Sequence, residues 1–226
     1  MRQIIGVILL SIVTVGICLS LVKIPFGVPK TEVGTHYIEH GLEETGAANV
    51  VTSVVVSYRG FDTLGEVAVL FIAATGLAAV LGMRRRKSAP TEPASFVLAT
   101  GCMVLFPLIL VYGSYIFIHG HLTPGGGFQG GAIIASAFVL VYLGCRERRI
   151  SHKVSNTLES LGGLVFVGVG LIGLAVGGYF LWDFLPKGTP YLLLSAGIIP
   201  VIYIAIGFKV GSELAGIIDN LIEESK

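Results

Sequence analysis

The chain has 226 residues, of which 54% are hydrophobic and 13% are charged, and its formal net charge is +1. Soluble domains carry about 25% charged residues, so this composition excludes an ordinary soluble enzyme, and the near-zero net charge gives no indication of nucleic-acid binding. Six apolar stretches are each close to the ~20 residues that a helix needs to cross a bilayer. They are residues 4–22, 61–83, 96–118, 128–145, 158–182 and 191–208. The sequence therefore predicts an all-α, polytopic membrane protein with about six transmembrane helices.

Basic residues fall mainly on one side of this predicted topology. Because cytoplasmic loops carry an excess of Lys and Arg, we expect both termini to be cytoplasmic and the chain to be a multi-pass protein of the cell membrane. In that orientation eleven basic residues are cytoplasmic: Arg2, Arg84, Arg85, Arg86, Lys87, Arg146, Arg148, Arg149, Lys153, Lys209 and Lys226. Four are on the outer side: Lys23, Lys30, Arg59 and Lys187.

A long outer loop, residues 23–60, separates the first two predicted spans. Its first part is polar, and we interpret His36, Glu39 and His40 there as solvated side chains rather than a metal site. Residues 49–58 differ because five of them are valines. This run is compatible with a short re-entrant or interfacial segment, or with the first turns of a longer second helix that Gly60 interrupts. The three cysteines of the chain lack metal-ligand spacing, so no metal or cofactor is expected in it.

The second predicted span begins with two carboxylates, Asp62 and Glu66. Because they are four residues apart, a helix places both on one face, one turn from each other. A charge near or within a bilayer costs at least a few kcal/mol, and such residues usually face a protein interior or a water-filled path. The pair therefore indicates ion or proton handling. The alternative is that both carboxylates are hydrated at the outer interface, with Asp62 at the start of the helix.

A glycine-rich motif precedes the fourth predicted span. Residues 119–131 read His-Gly-His-Leu-Thr-Pro-Gly-Gly-Gly-Phe-Gln-Gly-Gly. Glycine costs about 1 kcal/mol in a helix interior, so the motif predicts a helix break, and irregular backbone at membrane depth is buried in protein or lines an aqueous cavity. Close packing, in which glycine lets another subunit approach, is the interpretation that we slightly favour. His119 and His121 lie at the outer mouth, either as a proton relay or as an interfacial cap.

The C-terminal residues 211–226 have the pattern of an amphipathic helix. Leucine and isoleucine residues fall on one stripe and acidic residues fall elsewhere. We expect this helix to lie on the membrane or, because its polar face is acidic, to dock on a partner subunit. Lys209, at the cytoplasmic end of the sixth span, is expected to extend towards the interface or to pair with Glu213 four residues later.

Two motifs of the sequence resemble those of a known family. Residues 58–66, Tyr-Arg-Gly-Phe-Asp-Thr-Leu-Gly-Glu, resemble the signature near the C-terminus of the large A subunit of Mrp-type multisubunit cation/proton antiporters. Residues 121–131 resemble the hallmark of their B subunit, the MnhB family. Related modules occur in archaeal membrane-bound hydrogenase and sulfur-reducing complexes, where the A-type tail is a separate small subunit. The chain thus resembles an A-type tail, residues 1–87, joined by a cytoplasmic linker, 88–93, to a four-helix B-type domain, 94–226.

This resemblance implies functional roles for both motifs. It implies that Asp62 and Glu66 are functionally important, and we expect them to contribute to an ion path in a module that transports Na⁺ and H⁺, with the passage of Na⁺ near Glu66 left open. It also implies a structural role for the glycine motif, namely for Pro124, Gly125, Gly126, Gly127 and Phe128.

The resemblance further implies which chemistry belongs to other chains. Large antiporter-like partner subunits would carry the main pumping helices. Iron–sulfur or nickel–iron centres, and any hydrogenase or sulfur-reductase chemistry, would also belong to partner subunits, so this chain is expected to be non-catalytic. The alternative function is a purely structural scaffold that holds antiporter-like subunits together.

Overall fold

The computed structural model describes residues 2–23, 32–82, 94–145 and 151–224, and the secondary structure of this part is helical. Six of its helices are long and apolar enough to cross a membrane. The prediction of an all-helical protein with six candidate spans is therefore confirmed. In chain order the elements are α1 (Arg2–Lys23), α2 (Glu32–Thr45), α3 (Val50–Thr52), a π-helical segment (Ser53–Tyr58), α4 (Gly60–Gly82), α5 (Phe96–Ile118), α6 (Gly127–Gly144), α7 (His152–Gly177) and α8 (Ile199–Glu224).

The orientation of the termini and the division into domains remain predictions. Residues 84–87 and 146–149, which carry seven of the eleven basic side chains assigned to the cytoplasmic side, lie outside the described residues. The expected linker, 88–93, also lies outside them.

The chain forms two compact units, Met1–His36 and Tyr37–Lys226. Within the first unit, α1 is exposed along its length from Gly6 to Lys23. A helix that is apolar on every side needs an apolar environment all round it. The composition of α1 is therefore that of a helix surrounded by lipid or by other membrane helices.

Helix α8 is the central element of the second unit. It contacts α4, α5, α6 and α7, and its residues Ile202, Ile206 and Val210 are at most 2% exposed. Helices α5 and α6 are antiparallel neighbours, because Cys102 near the start of α5 lies against Cys145 just after α6, with sulfur atoms 2.9 Å apart. Many large apolar side chains of α4, α5 and α7 point outwards, as is usual for helices that face lipid or partner subunits.

The predicted start of the sixth span is wrong. The sequence prediction placed it at residue 191, but the helix begins at Ile199. Tyr191 and Ala196 have φ angles of 69° and 66°, which a right-handed helix does not allow. Pro200 stands in the first turn of α8, where proline is well tolerated because its missing N–H has no intrahelical partner there.

The predicted amphipathic C-terminal segment is helical up to Glu224 and is continuous with the sixth span. Helix α8 continues without a break to Glu224. Its final turns pack inside this chain, since Glu213, Ala215 and Asp219 are at most 3% exposed. The apolar stripe itself is only partly buried, and Leu221 on it is 44% exposed, so its contact with lipid or with a partner subunit remains a prediction.

Two further boundaries differ from the prediction. Helix α7 (His152–Gly177) begins and ends earlier than the predicted span at 158–182. It ends there because Gly178 adopts the left-handed conformation and donates its N–H to the carbonyl oxygen of Leu174 at 3.0 Å, an arrangement common at helix C-termini. The polar half of the outer loop contains α2, which the sequence did not predict.

Candidate functional site

The acidic pair stands directly after an irregular helical segment. Residues 50–58 form α3 and then the π-helical segment, and Arg59, with φ −122° and ψ 31°, interrupts the helix before α4. The hydroxyl of Thr63 on α4 donates to the carbonyl oxygen of Val55 at 2.7 Å, which satisfies one acceptor freed by the interruption. The valine run is thus helical and ends at a break next to Gly60, where the candidate membrane span begins. Single π-helical turns of this kind are frequent at functional sites.

Tyr58 joins this segment to α2. Its ring stacks on that of Tyr37 with centroids 4.4 Å apart, and its hydroxyl donates to the carboxylate of Glu44. Burial, together with the Glu44 carboxylate, raises the pKa of Tyr58. The phenol therefore stays protonated and remains a hydrogen-bond donor over the physiological pH range.

Asp62 and Glu66 lie on the outward face of α4. Both are exposed, whereas the adjacent residues Thr63 and Val67 are buried in this chain. Arg59 binds Asp62, with its Nε and Nη2 atoms 2.6 and 2.5 Å from Oδ2. Within the part of the chain that the structure describes, Glu66 has neither an ion-pair nor a hydrogen-bond partner. Glu66 is therefore available to a neighbouring chain, to water or to an ion.

The glycine motif is held by side chains from α3 and α8. The Asn49 side-chain amide donates to the carbonyl oxygens of Gly120 and Thr123 at 2.9 and 3.0 Å. Thr52 donates to the Gly120 carbonyl at 2.6 Å and accepts a hydrogen bond from the Tyr203 hydroxyl at 2.9 Å. The sequence allowed these motif carbonyls to line an aqueous cavity. In the structure, protein donors bind them, and these hydrogen bonds rigidify the turn of the glycine motif.

The motif glycines allow three helices of this chain to approach each other. A Cβ atom on Gly127 would be 2.9 Å from the Tyr203 carbonyl oxygen of α8, and one on Gly131 would be 2.9 Å from that of Gly207. A Cβ on Gly130 would be 2.7 Å from the Gly113 carbonyl oxygen of α5. These positions require glycine for close packing. The packing interpretation fits these contacts, although the approaching backbones belong to this chain rather than to another subunit.

The other motif residues differ in their surroundings. Phe128 is partly buried against the hydrophobic core, and Gly126 and Gly127 are buried. A Cβ on Gly125 would be 2.6 Å from the Ile116 carbonyl oxygen, whereas Pro124 is exposed. The structural role of these motif residues remains a prediction, and these contacts show which neighbours each residue would pack against.

The two histidines occupy different environments. His119 stacks on Tyr115 with ring centroids 4.2 Å apart. His121 is completely buried, and neither ring nitrogen has a hydrogen-bond partner of acceptable geometry among the described residues. Burial lowers the pKa of His121, an effect that the nearby backbone of Leu192 and Leu193 partly opposes. His121 is therefore neutral at physiological pH, and its role as a proton relay remains a prediction.

A buried ion pair on α8 adds a further candidate site. The Nζ atom of Lys209 lies 2.6 Å from Oε2 of Glu213, and the two side chains are only 6% and 0% exposed. The Lys209 ammonium also lies 5.4 Å from the centre of the Phe71 ring on α4. The sequence indicated the pairing through the four-residue spacing, but not that the pair is buried, because the partner helices could not be identified.

These features define a polytopic helical membrane protein with an acidic pair and a packed glycine motif. Residues 97–216 match the family model described as a domain related to the MnhB subunit of Na⁺/H⁺ antiporters. Residues 2–95 match the MbhE model, which describes one of the subunits of MBH. The chain belongs to the family of MnhB-related domains, so the resemblance carried by the two motifs is confirmed.

Known proteins agree with this assignment. An uncharacterized protein of Methanocaldococcus jannaschii is 34% identical over 81% of this chain and 76% of its own length. A chain in the solved structure of the membrane-bound sulfane sulfur reductase, an archaeal respiratory membrane complex, is 49% identical, with a TM-score of 0.79 and 97% of both chains covered. A chain of the Mrp complex from Dietzia sp. DQ12-45-1b is 25% identical, with a TM-score of 0.72. The match covers 97% of this protein but only 26% of the Dietzia chain.

Proposed function

We propose that this protein is a membrane subunit of an Mrp-type Na⁺/H⁺ translocation module inside a larger respiratory complex of the sulfane sulfur reductase or hydrogenase kind. The 49% identity to a sulfane sulfur reductase chain over 97% of both chains favours the first kind. The chain itself is non-catalytic, and its partners are antiporter-like subunits and the subunits that hold iron–sulfur or nickel–iron centres. Both termini are cytoplasmic in this proposal, in agreement with the bias of the basic residues.

The outward position of Glu66 on α4 is the observation that carries the proposed ion path. A carboxylate on a membrane helix is costly unless it meets water, an ion or a polar partner, and this chain offers Glu66 no such partner among its described residues. A neighbouring subunit that covers α4 would complete a path lined by Glu66 and Asp62. A carboxylate there acts as a hard oxygen ligand for Na⁺, or binds and releases a proton.

The alternative function is a scaffold without an ion-handling residue. It is favoured by the Arg59–Asp62 ion pair, because the charge of Asp62 is already compensated within this chain. In that case α4 serves only as a contact surface for another subunit, and neither carboxylate affects transport.

The substitution Glu66→Gln separates these functions, because it removes the charge and keeps the shape. We expect it to abolish most sodium-dependent proton movement by the purified complex in sealed vesicles, with the subunit composition unchanged by mass spectrometry. Glu39→Gln, at an exposed position of α2, is the matched control and should transport normally. Full transport by an assembled Glu66→Gln complex would contradict the ion path and favour the scaffold function.

A further inference from the structure

A polar cavity of about 340 Å³ lies between α4, α7 and α8, with Tyr142 of α6 also lining it. This volume accommodates several water molecules, each of which occupies about 30 Å³ in the liquid. The wall formed by α4 is mostly apolar, whereas α7 and α8 contribute Asn156, Glu159, Asp219 and Asn220. Asn156 is exposed and Asp219 is 3% exposed, so the cavity has an open rim and a buried floor.

Glu213 forms part of this buried floor. Its side chain is 0% exposed and lines the cavity. The Oε2 atom is bound by Lys209, but the buried Oε1 atom has no hydrogen-bond partner among the described residues. A buried, unsatisfied carboxylate oxygen is costly. A proton on this oxygen, shared with water in the cavity, would remove that cost.

The surroundings of Glu213 favour a proton over a metal cation. Lys209 already places a positive charge 2.6 Å from this carboxylate, and a second full cation beside it would be repelled. Among the residues that the structure describes, no three His, Cys, Asp or Glu side chains are arranged to hold a metal ion. Glu159 faces the same cavity, and two carboxylates that share a site favour protonation of one of them.

The charged and titratable groups around Glu213 can be assigned to each helix that lines the cavity. Helix α8 contributes Lys209 and Asp219, α7 contributes Glu159 and α6 contributes Tyr142. The cavity-lining residues of α4 are uncharged, and its Phe71 ring lies beneath the Lys209 ammonium. When Glu213 becomes neutral, this ring still offers the ammonium a favourable cation–π contact. Protonation of Glu213 therefore does not leave Lys209 without a partner.

We propose that Glu213 is a proton-exchange site at the floor of this cavity, with Lys209 as its fixed counter-charge. In the exchange step the Oε1 atom of the carboxylate takes a proton from water of the cavity, which forms the neutral acid, and later returns it to the same water. The site lies on the second half of α4 and on α7 and α8, away from the acidic pair at the start of α4. It does not depend on the transport role proposed for Glu66.

The test uses the intact complex and the apolar reagent dicyclohexylcarbodiimide, which adds to protonated carboxyl groups in water-poor surroundings. The carboxyl O–H adds across one C=N bond, and the adduct rearranges to a stable N-acylurea that peptide mass spectrometry detects. We expect an adduct on Glu213 that increases as the pH is lowered and does not respond to Na⁺. Exposed Glu39 of the same chain is the internal control and should stay unmodified.

A second measurement removes the need for the reagent to enter the cavity. Acidification of the complex should produce an infrared C=O stretching band of a carboxylic acid that is absent from Glu213→Gln and present in Glu39→Gln. Either the adduct or the band, assigned to Glu213, supports the proposal. Absence of both means that Glu213 is a permanently ionised structural residue. Suppression of either signal by Na⁺ at constant pH would also overturn the proposal, because the ligand would then be a metal cation.

Discussion

Two Lys/Arg–carboxylate pairs in this protein have different energetic consequences because their surroundings differ. The side chains of Arg59 and Asp62 are 64% and 54% exposed, and exposed pairs contribute about 0–1 kcal/mol. The side chains of Lys209 and Glu213 are 6% and 0% exposed. Removing one partner of a buried pair costs about 3–5 kcal/mol, because it leaves a buried charge without compensation. When one charge of the Lys209–Glu213 pair is present, the other charge is therefore needed to keep the bundle stable.

The substitution Lys209→Met tests this dependence. We expect a clearly lower apparent Tm of the complex at neutral and alkaline pH, with a smaller loss at acidic pH, where Glu213 becomes neutral by binding a proton. The double variant Lys209→Met/Glu213→Gln should recover most of the loss. Lys153→Met, at an exposed position of α7, is the control. Equal loss in the single and double variants would show that the charge of Glu213 is irrelevant to stability.

His121 should give the protein a second acid-sensitive element. Burial lowers its pKa in the folded state from the ordinary value of 6.5, so the unfolded chain binds a proton at a higher pH than the folded chain does. Stability is therefore unaffected above about pH 6.5 and falls as the pH decreases below it. We expect His121→Asn to flatten the decrease of apparent Tm between neutral and acidic pH. The control His40→Asn keeps His121 and should retain the wild-type decrease, whereas identical slopes in all three proteins would contradict this account.

Glycines stand at several points where the backbones of α5, α6 and α8 approach each other closely. On α6, a Cβ on Gly131 would lie 2.8 Å from Cβ of Val210 and 2.9 Å from the Gly207 carbonyl oxygen, both on α8. Neither neighbour is the end of a flexible side chain, so the helices would have to separate. Gly126 is a weaker test position, because its nearest neighbour is the flexible end of Gln129 in the first turn of α6.

We therefore expect Gly131→Ala to destabilise the protein by about 1–3 kcal/mol, which is the usual cost of overpacking. Gly101→Ala on α5 is the matched control, since a Cβ there has no neighbour within 4 Å. That control should be neutral or stabilising by up to about 1 kcal/mol, because alanine is the better helix former. Apparent Tm and the yield of assembled complex provide the measurement. Similar behaviour of both variants would refute the packing role of Gly131.

For the molecule as a whole, features that depend on composition and local motifs could be predicted from the sequence, whereas features that depend on contacts between distant residues could not. The six spans and the family could be predicted, because hydropathy and two long motifs are local properties of the chain. The start of α8 at Ile199 could not be predicted, because it depends on the fold of residues 183–198. There Asp183 accepts a hydrogen bond from the N–H of Ile198 at 3.1 Å. The buried setting of Glu213 was equally inaccessible, because periodicity places a residue on a helix face but does not show which helix covers that face.

The hydrogen bonds of Asn49 and Thr52 to the glycine motif also bear on how a two-part chain of this kind can arise. These two side chains belong to the part matched by the MbhE model, whereas Gly120 and Thr123 belong to the MnhB-related part. The two parts are thus joined by side-chain hydrogen bonds as well as by the connecting peptide. Fusion of two separate genes would preserve such an interface while fixing the stoichiometry of its halves at one to one.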